Sequence, residues 1–162
     1  MQDFFLMKKL NSLNQVAEFH RIFKHPVVDT PAIPAPERCE LRVSLIAEEL
    51  KELQEAIEAN DLVEIADALC DIQYVLSGAV LEFGLGEKFP TLFDEVQRSN
   101  MSKACRSQEE AEATMQHYKE KDGTESYYKE ADGLFLVYRK SDNKTLKSIN
   151  YSSADLKSIL EA

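Results

Sequence analysis

Residues 62–76 read LVEIADALCDIQYVL, and this stretch decides the fold. Its apolar residues cover nearly every side of a helix, which predicts burial on several sides by neighbours in a helical bundle. The apolar pattern is interrupted by three acids, Glu64, Asp67 and Asp71. Their spacings of three and four residues place them on one narrow side of the helix. A buried helix that carries such a row of carboxylates needs something that neutralises them.

The same periodicity predicts further helices on both sides of this one. We expect helices over residues 4–24, 36–57, 62–82 and 90–104, with a helical continuation over 107–120. The first two are separated by HPVVDTPAIPAPE, which holds four of the five prolines and predicts an extended, at least partly ordered loop. Asp61, three residues before Glu64, predicts a capping box at the start of the third helix.

The sequence changes near residue 122 from a helical pattern to turn dipeptides and β-rich runs. The turn dipeptides Asp122-Gly123 and Asp132-Gly133 and the runs LFLVYRK and TLKSI, on either side of SDNK, predict a hairpin of two or three strands. Ser152 or Ser153 is then expected to cap a short helix, ADLKSILE. The predicted fold is therefore mainly α, with a four-helix-bundle core in residues 1–121 and an extension, residues 122–162, made of a β-hairpin and a short helix.

Composition excludes several classes of function. The 29 acidic residues exceed the 19 basic ones, so the formal charge is −10 and a nucleic-acid-binding surface is not expected. The sequence has no 18-residue run of uncharged apolar residues, and its N-terminus, with Asp3 early and lysines after the apolar residues, is unlike a secretory signal. Three scattered cysteines predict reduced thiols and no thiolate zinc site. We expect a soluble cytoplasmic protein without a membrane partner.

Two acids of the second helix fall on its apolar half, Glu49 and Glu52. An antiparallel hairpin that turns at residue 58 aligns Glu49 with Asp67 and Glu52 with Glu64. Four carboxylates in an apolar groove repel one another, and oxygen ligands without His or Cys favour Mg²⁺ or Mn²⁺.

Two other interpretations of these acids remain open. Glu64 can serve only as a capping residue, and Glu49 and Glu52 can be charges at the rim of a bent helix. A di-iron site requires Glu-x-x-His on two helices, and none of the three histidines lies three residues after an acid.

The order Glu48-Glu49-x-x-Glu52 and then Glu64-x-x-Asp67 resembles the motifs of the all-α nucleoside triphosphate pyrophosphohydrolases. VAEFH, LIAEELKEL, EIADALCDIQYV and FDEVQRSNMSKA resemble their MazG-like and phosphoribosyl-ATP pyrophosphohydrolase-like branch, over about residues 14–105. The gap of 11 residues between the two acidic motifs is short for MazG-like enzymes, and the C-terminal extension lies outside the pattern.

The resemblance implies Mg²⁺-dependent hydrolysis of a nucleoside triphosphate between the α- and β-phosphates, with Mn²⁺ as a possible substitute, in a homodimer or dimer of dimers. It assigns metal binding to Glu49, Glu52, Glu64 and Asp67, and a further metal or the attacking water to Glu48. It assigns substrate binding to Asp71, Asn100 and Lys103. Two alternatives stay open, a non-catalytic module that binds Mg²⁺ and nucleotide, and the phosphoribosyl-ATP pyrophosphohydrolase of histidine biosynthesis.

Overall fold

The computed structural model describes residues 8–162 as six helices and one two-stranded antiparallel sheet. The elements are α1 (Ser12–Phe23), α2 (Pro36–Glu58), α3 (Leu62–Glu82), α4 (Phe89–Met101), α5 (Gln108–Asp122), β1 (Ser126–Ala131), β2 (Leu134–Arg139) and α6 (Leu156–Glu161). The predicted mainly α fold with a C-terminal hairpin and a short final helix is confirmed. The chain divides into two compact units, and the boundary between them in the sequence lies between Phe89 and Pro90. No helix of the described part is long and apolar enough to cross a membrane.

The first helix begins later than its periodicity predicts. Residues 4–7 lie outside the described residues, and residues 8–11 are not helical. Asn11 precedes the helix, and its side-chain oxygen accepts a hydrogen bond from Asn14 Nδ2 at 2.7 Å. Asn11 therefore closes a local turn at the point where the helix starts, which is why the apolar pattern before it does not continue the helix.

The first unit is built on the hairpin of α2 and α3, whose predicted positions are confirmed to within one residue. Asn60, at the centre of the turn, has a φ of 53°, a left-handed conformation that asparagine tolerates. Asp61 then caps α3, because its carboxylate accepts from the backbone N–H groups of Val63 at 3.0 Å and Glu64 at 3.2 Å. The N–H of Asp61 donates to Ala56 O, so the predicted capping box is made from one side only.

The proline-rich loop is ordered along the C-terminal end of α3, as predicted. Val28 N donates to Leu81 O and Ala32 N donates to Phe83 O, both at 3.0 Å. Gly84 has a φ of +67°, and a Cβ there would lie 1.9 Å from Thr30 O, so only glycine permits this approach of the loop. α1 packs against α3 through a small core of Val16, Ala17 and Leu81.

A buried carboxylate joins the far ends of α2 and α3. Glu82 is 1% exposed, and it accepts hydrogen bonds from Arg38 Nε at 3.1 Å and from the Nη2 atoms of Arg38 and Arg42. Burial alone raises the pKa of the Glu82 carboxyl, but the hydrogen bonds and charges of the two arginines outweigh burial and hold it below its usual value. We call these three residues the Glu82 clamp.

The second unit corrects the predicted hairpin. β1 pairs with β2 across Asp132-Gly133, whereas TLKSI contributes only an isolated bridge from Thr145 to Tyr138. Asp132 and Gly133 both have positive φ, of 51° and 76°. A two-residue turn of that kind matches the twist of an antiparallel pair, which explains why this turn and not SDNK makes the hairpin.

Two helix ends of the second unit also differ from prediction. α4 ends at Met101 rather than at residue 104, and α5 is a separate helix capped by Ser107. The cap of α6 is Asp155, which accepts from Ser158 N at 3.2 Å, and not Ser152 or Ser153. The core of this unit consists of Cys105, Ala111, Val137 and Leu146.

Replacement of the clamp carboxylate is expected to unfold the first unit more easily. Glu82→Gln leaves two arginines without an opposite charge, one of them buried, and we expect the free energy of unfolding to fall by about 3–5 kcal/mol. Urea titration followed by circular dichroism measures this change. The exposed Glu58→Gln is the matched control, and a loss no larger than that of this control would contradict the role of the clamp.

Candidate functional site

The candidate site lies on the hairpin of α2 and α3, and Glu49 is its central residue. Glu49 is half-buried, and its Oε2 atom is buried with no hydrogen-bond partner in the described part of the chain. Burial and then the negative charges of its neighbours raise the pKa of Glu49 above its usual value. In order of decreasing effect, these neighbours are Asp71, Glu52, Glu48 and Asp67.

The order of these neighbours follows from the position of the turn. α2 ends at Glu58 and α3 begins at Leu62, so the hairpin is centred on residue 60 and not on residue 58. A shift of the centre by two residues moves the partner of Glu49 by four residues, which is about one helical turn. Asp71 therefore faces Glu49 more directly than Asp67 does, although the sequence pattern pairs Glu49 with Asp67.

The remaining predicted acids lie on the open side of the hairpin. Glu48, Glu52, Glu64 and Asp67 are exposed, and Asp71 is half-buried. Glu64 occupies the first turn of α3, and its charge is not among those that shift the pKa of Glu49. The structure therefore brings Glu48, Glu49, Glu52, Asp67 and Asp71 together and leaves Glu64 at the edge of the group.

The carboxylates are near one another without converging on a point. Among residues 8–162 no three His, Cys, Asp or Glu side chains are arranged to hold a metal ion as they stand. Like charges repel, so exposed carboxylates turn towards water unless a cation draws them together. The donor set nevertheless fits a hard divalent cation, because it consists of carboxylate oxygens and one of them, Glu49 Oε2, is buried without a partner among residues 8–162.

Asn100 and Lys103, the predicted phosphate ligands, lie in the second unit. Asn100 is at the C-terminal end of α4, and Lys103 is in the turn that follows. Lys103 Nζ donates to Asn100 Oδ1 at 2.8 Å. The two side chains thus form a local pair with the spacing of three residues that the sequence pattern indicates.

A cavity of about 730 Å³ lies between α1 and α3. Its walls come from the start of α1 and from α3, namely Leu10, Ser12, Gln15, Val16, Glu18, Leu69, Cys70, Gln73 and Tyr74. Tyr74, one wall of the cavity, lies about one helical turn after Asp71 on α3. It offers an aromatic ring, aliphatic walls and two amide side chains, which is the lining typical of a small-molecule pocket.

Phe19 and His20 of α1 do not line this cavity. Phe19 meets Tyr74 edge-on, with 5.6 Å between the ring centroids. His20 is buried, and its Nδ1 lies 2.8 Å from Pro26 O, so that nitrogen carries the proton and donates it. Burial is the main cause that lowers the pKa of His20, which therefore serves as a neutral core residue.

Comparison with known proteins identifies the family to which this hairpin belongs. A family model described as phosphoribosyl-ATP pyrophosphohydrolase matches residues 16–100, more than half of the 162-residue chain. An uncharacterized protein of Acanthamoeba polyphaga mimivirus is 34% identical over 111 residues. The aligned part is 66% of this chain and 44% of that relative, so the chain spans less than half of the relative's length.

The raised pKa of Glu49 predicts a specific dependence of stability on pH. A carboxyl whose pKa is raised on folding binds its proton more tightly in the folded state, so its ionised form destabilises the protein above that pKa. Glu49→Gln in metal-free buffer should therefore melt at a higher temperature than the wild type at pH 8. The difference should disappear as the pH falls to the pKa of an unfolded glutamate, about 4.3.

Melting curves recorded by circular dichroism at pH 8 and pH 4 test this expectation. Glu40→Gln, at an exposed position of the same helix, removes the same charge and is the control. A wild type that is more stable than Glu49→Gln at pH 8 without metal would contradict the assignment of an unsatisfied carboxylate.

Proposed function

Because the chain belongs to the phosphoribosyl-ATP pyrophosphohydrolase family, we propose that it is a metal-dependent hydrolase of nucleoside triphosphates. The reaction cleaves the bond between the α- and β-phosphates and releases a nucleoside monophosphate and pyrophosphate. The observation that carries this proposal is Glu49 Oε2, a buried carboxylate oxygen near four other carboxylates that has no hydrogen-bond partner in the part of the chain that the structure describes. A group of that kind is costly to keep unless a cation binds it when the protein works.

In this proposal the acids of the hairpin hold Mg²⁺, which Mn²⁺ can replace. Glu49, Asp67 and Asp71 would hold the ion, together with Glu52 and Glu64. When bound, it would neutralise the acids and the phosphate oxygens and polarise the α-phosphoryl group. The acids orient the ion, and Asn100 and Lys103 bind the phosphate chain through an amide and a cation.

Glu48 is the proposed catalytic base. It adjoins Glu49 in the chain, is exposed, and contributes to the charge that raises the pKa of Glu49. A carboxylate that is open to solvent can accept a proton from a water molecule. The water oxygen then attacks the α-phosphorus, the bond from that phosphorus to the bridging oxygen breaks, and pyrophosphate leaves with the bonding electrons.

The cavity between α1 and α3 is the proposed nucleoside site. Tyr74 offers a ring for stacking, and the amide groups of Gln15 and Gln73 offer donors and acceptors for a base. Gln73 is partly engaged already, since its Nε2 donates to Ser12 Oγ at 3.3 Å and to Ser77 Oγ at 3.1 Å. The side-chain oxygen of Gln73, Oε1, remains as an acceptor for the ligand, whereas its backbone oxygen accepts from Ser77 Oγ.

A second candidate substrate is phosphoribosyl-ATP, which the description of the matching family model favours. The bond cleaved and the acids that act on it are the same in both cases, and only the group attached to the base differs. A non-catalytic module that binds Mg²⁺ and nucleotide is the alternative outside enzyme chemistry. The two enzyme candidates and this module are separated by the products that the protein releases.

We also propose that the protein works in the cytoplasm as a homodimer or dimer of dimers. Its three cysteines are unpaired thiols, which suits a reducing compartment. Leu50, Ile57, Leu62 and Val63 are all more than half exposed on the hairpin of α2 and α3. Association of two copies would bury this apolar surface, and multi-angle light scattering should give at least twice the chain mass of 18.4 kDa. A monomer at micromolar concentration would contradict this part of the proposal.

Turnover is tested with Mg²⁺ and a panel of the canonical ribo- and deoxyribonucleoside triphosphates together with phosphoribosyl-ATP. We expect pyrophosphate and a monophosphate as products from at least one compound. Glu49→Gln and Asp67→Asn should each lower kcat by about 100-fold or more, because each removes a charge that stabilises the reacting group.

Glu40→Gln should leave turnover unchanged and is the control for loss of one negative charge from α2. Release of orthophosphate alone, or full activity of Glu49→Gln, would contradict the proposed reaction. Binding of nucleotide without any product would support the non-catalytic alternative instead.

A further inference from the structure

The segment 147–153 lies outside the part of the chain that the family model matches, yet it is bonded to the end of α4. The contact joins residues far apart in sequence. It consists of hydrogen bonds to the last turn of α4 and to the two residues that follow Met101. These bonds are Ser148 N to Lys103 O at 3.1 Å, Ser99 Oγ to Tyr151 Oη at 3.1 Å, and Ser152 N to Ser102 Oγ at 3.0 Å. The segment is therefore bonded to Lys103, which in turn donates to Asn100, and to Ser99, the neighbour of Asn100 in the chain.

Lys147 and Tyr151 form one unit within this segment. Lys147 Nζ lies 4.3 Å from the centroid of the Tyr151 ring, a cation–π contact that holds the ammonium over the ring. The hydrogen bond from Ser99, followed by the charges of Lys147, Lys103 and Arg98, lowers the pKa of Tyr151. Three cations thus act on a single phenol.

Two of these three cations are not neutralised. Arg98 is paired with Glu95 at 2.7 Å. Within residues 8–162, no carboxylate lies within ion-pair distance of Lys103 or Lys147. Glu110, the acid bonded to the same segment, accepts from Ser148 Oγ and from Arg106 N at 2.9 Å. Two unpaired lysines beside one another are notable in a chain whose net charge is −10.

We call Asn100, Lys103, Lys147 and Tyr151 the cluster. Their polar groups still have hydrogen atoms that can be donated to a ligand. Asn100 Oδ1 accepts from Lys103, so the amide nitrogen of Asn100 is available to donate. Tyr151 Oη accepts from Ser99, so the phenol hydrogen is available as well. Two ammonium groups, one amide N–H and one phenol O–H suit a ligand that carries several negative oxygens close together. A di- or triphosphate chain is such a ligand.

We infer that Lys147 binds the phosphate chain of the nucleotide together with Asn100 and Lys103, and that Tyr151 is the positioning residue that holds Lys147 in place. The inference rests on the proposed function for the identity of the nucleotide. It assigns to the C-terminal extension a part in substrate binding. Of these three phosphate ligands, the family match contains only Asn100, and the extension supplies Lys147.

Direct binding of inorganic tripolyphosphate tests the cluster without any turnover. Isothermal titration of the full chain, freed of metal on a chelating resin, excludes the acidic residues as ligands because they repel the anion. Lys147→Met should weaken binding about tenfold, the effect of losing one charge-assisted hydrogen bond. Lys147→Arg should retain affinity within about threefold because it keeps the charge. Lys144→Met, at an exposed lysine three residues before Lys147 and outside the segment, should bind like the wild type.

Steady-state kinetics then separates binding from structure. With the nucleotide that the panel identifies, Lys147→Met should raise KM about tenfold at a melting temperature equal to that of the wild type. Tyr151→Phe keeps the ring under Lys147 and should have a smaller effect on KM than Tyr151→Leu. A second neutral variant, Lys147→Gln, should reproduce the result of Lys147→Met.

Equal tripolyphosphate affinity of the wild type and Lys147→Met, or no binding by the wild type, would overturn the inference. These outcomes are distinct from failure of the proposed function. A wild type that binds tripolyphosphate through Lys147 but cleaves no nucleotide contradicts the proposed reaction and leaves the cluster in place. A wild type that cleaves nucleotide with the same KM as Lys147→Met contradicts the cluster alone.

Discussion

One unsatisfied carboxylate oxygen is the constraint on which the account of the site depends. Glu49 Oε2 is buried, has no partner in the described protein, and is surrounded by the charges of four other acids. Folding in the absence of a cation must overcome both the desolvation and the repulsion of this group. In the proposed function this carboxylate binds the cation, and its cost in stability is offset when the cation is bound.

The Glu82 clamp explains how the hairpin keeps its alignment. Arg38 with Glu82 and Glu49 with Asp71 are each symmetrical about residue 60, so the same register satisfies both pairs. Slippage by one helical turn would separate a buried charge from its partners, which costs several kcal/mol. An attractive ion pair at the open end of the hairpin thus holds a repulsive pair of acids face to face near its middle.

Much of this arrangement follows from the sequence. The parts that do not follow from it differ for identifiable physical reasons. The limits of α3 follow from its apolar pattern and from Asp61, which are local signals. The pairing of Asp71 with Glu49 did not follow, because a turn centred on residue 60 differs from one at 58 by two residues, and no local signal resolves that difference. The Glu82 clamp and the contact of Tyr151 with α4 join residues about 40 or more apart, so periodicity contains no trace of them. The dipeptide Asp132-Gly133 is a turn signal in the sequence. The apolar runs on either side of SDNK nevertheless favour SDNK as the hairpin turn, whereas the two strands pair across Asp132-Gly133.

The most direct test of the central claim is the position of a cation relative to Glu49. Crystals grown with Mn²⁺ and a non-hydrolysable nucleoside triphosphate analogue allow the ion to be located by its anomalous scattering. We expect an anomalous peak within coordination distance of Glu49 Oε2, with Asp67 or Asp71 as a further ligand. Electron density that shows Glu49 Oε2 hydrogen-bonded to a protein group, with no peak beside it, would contradict the claim.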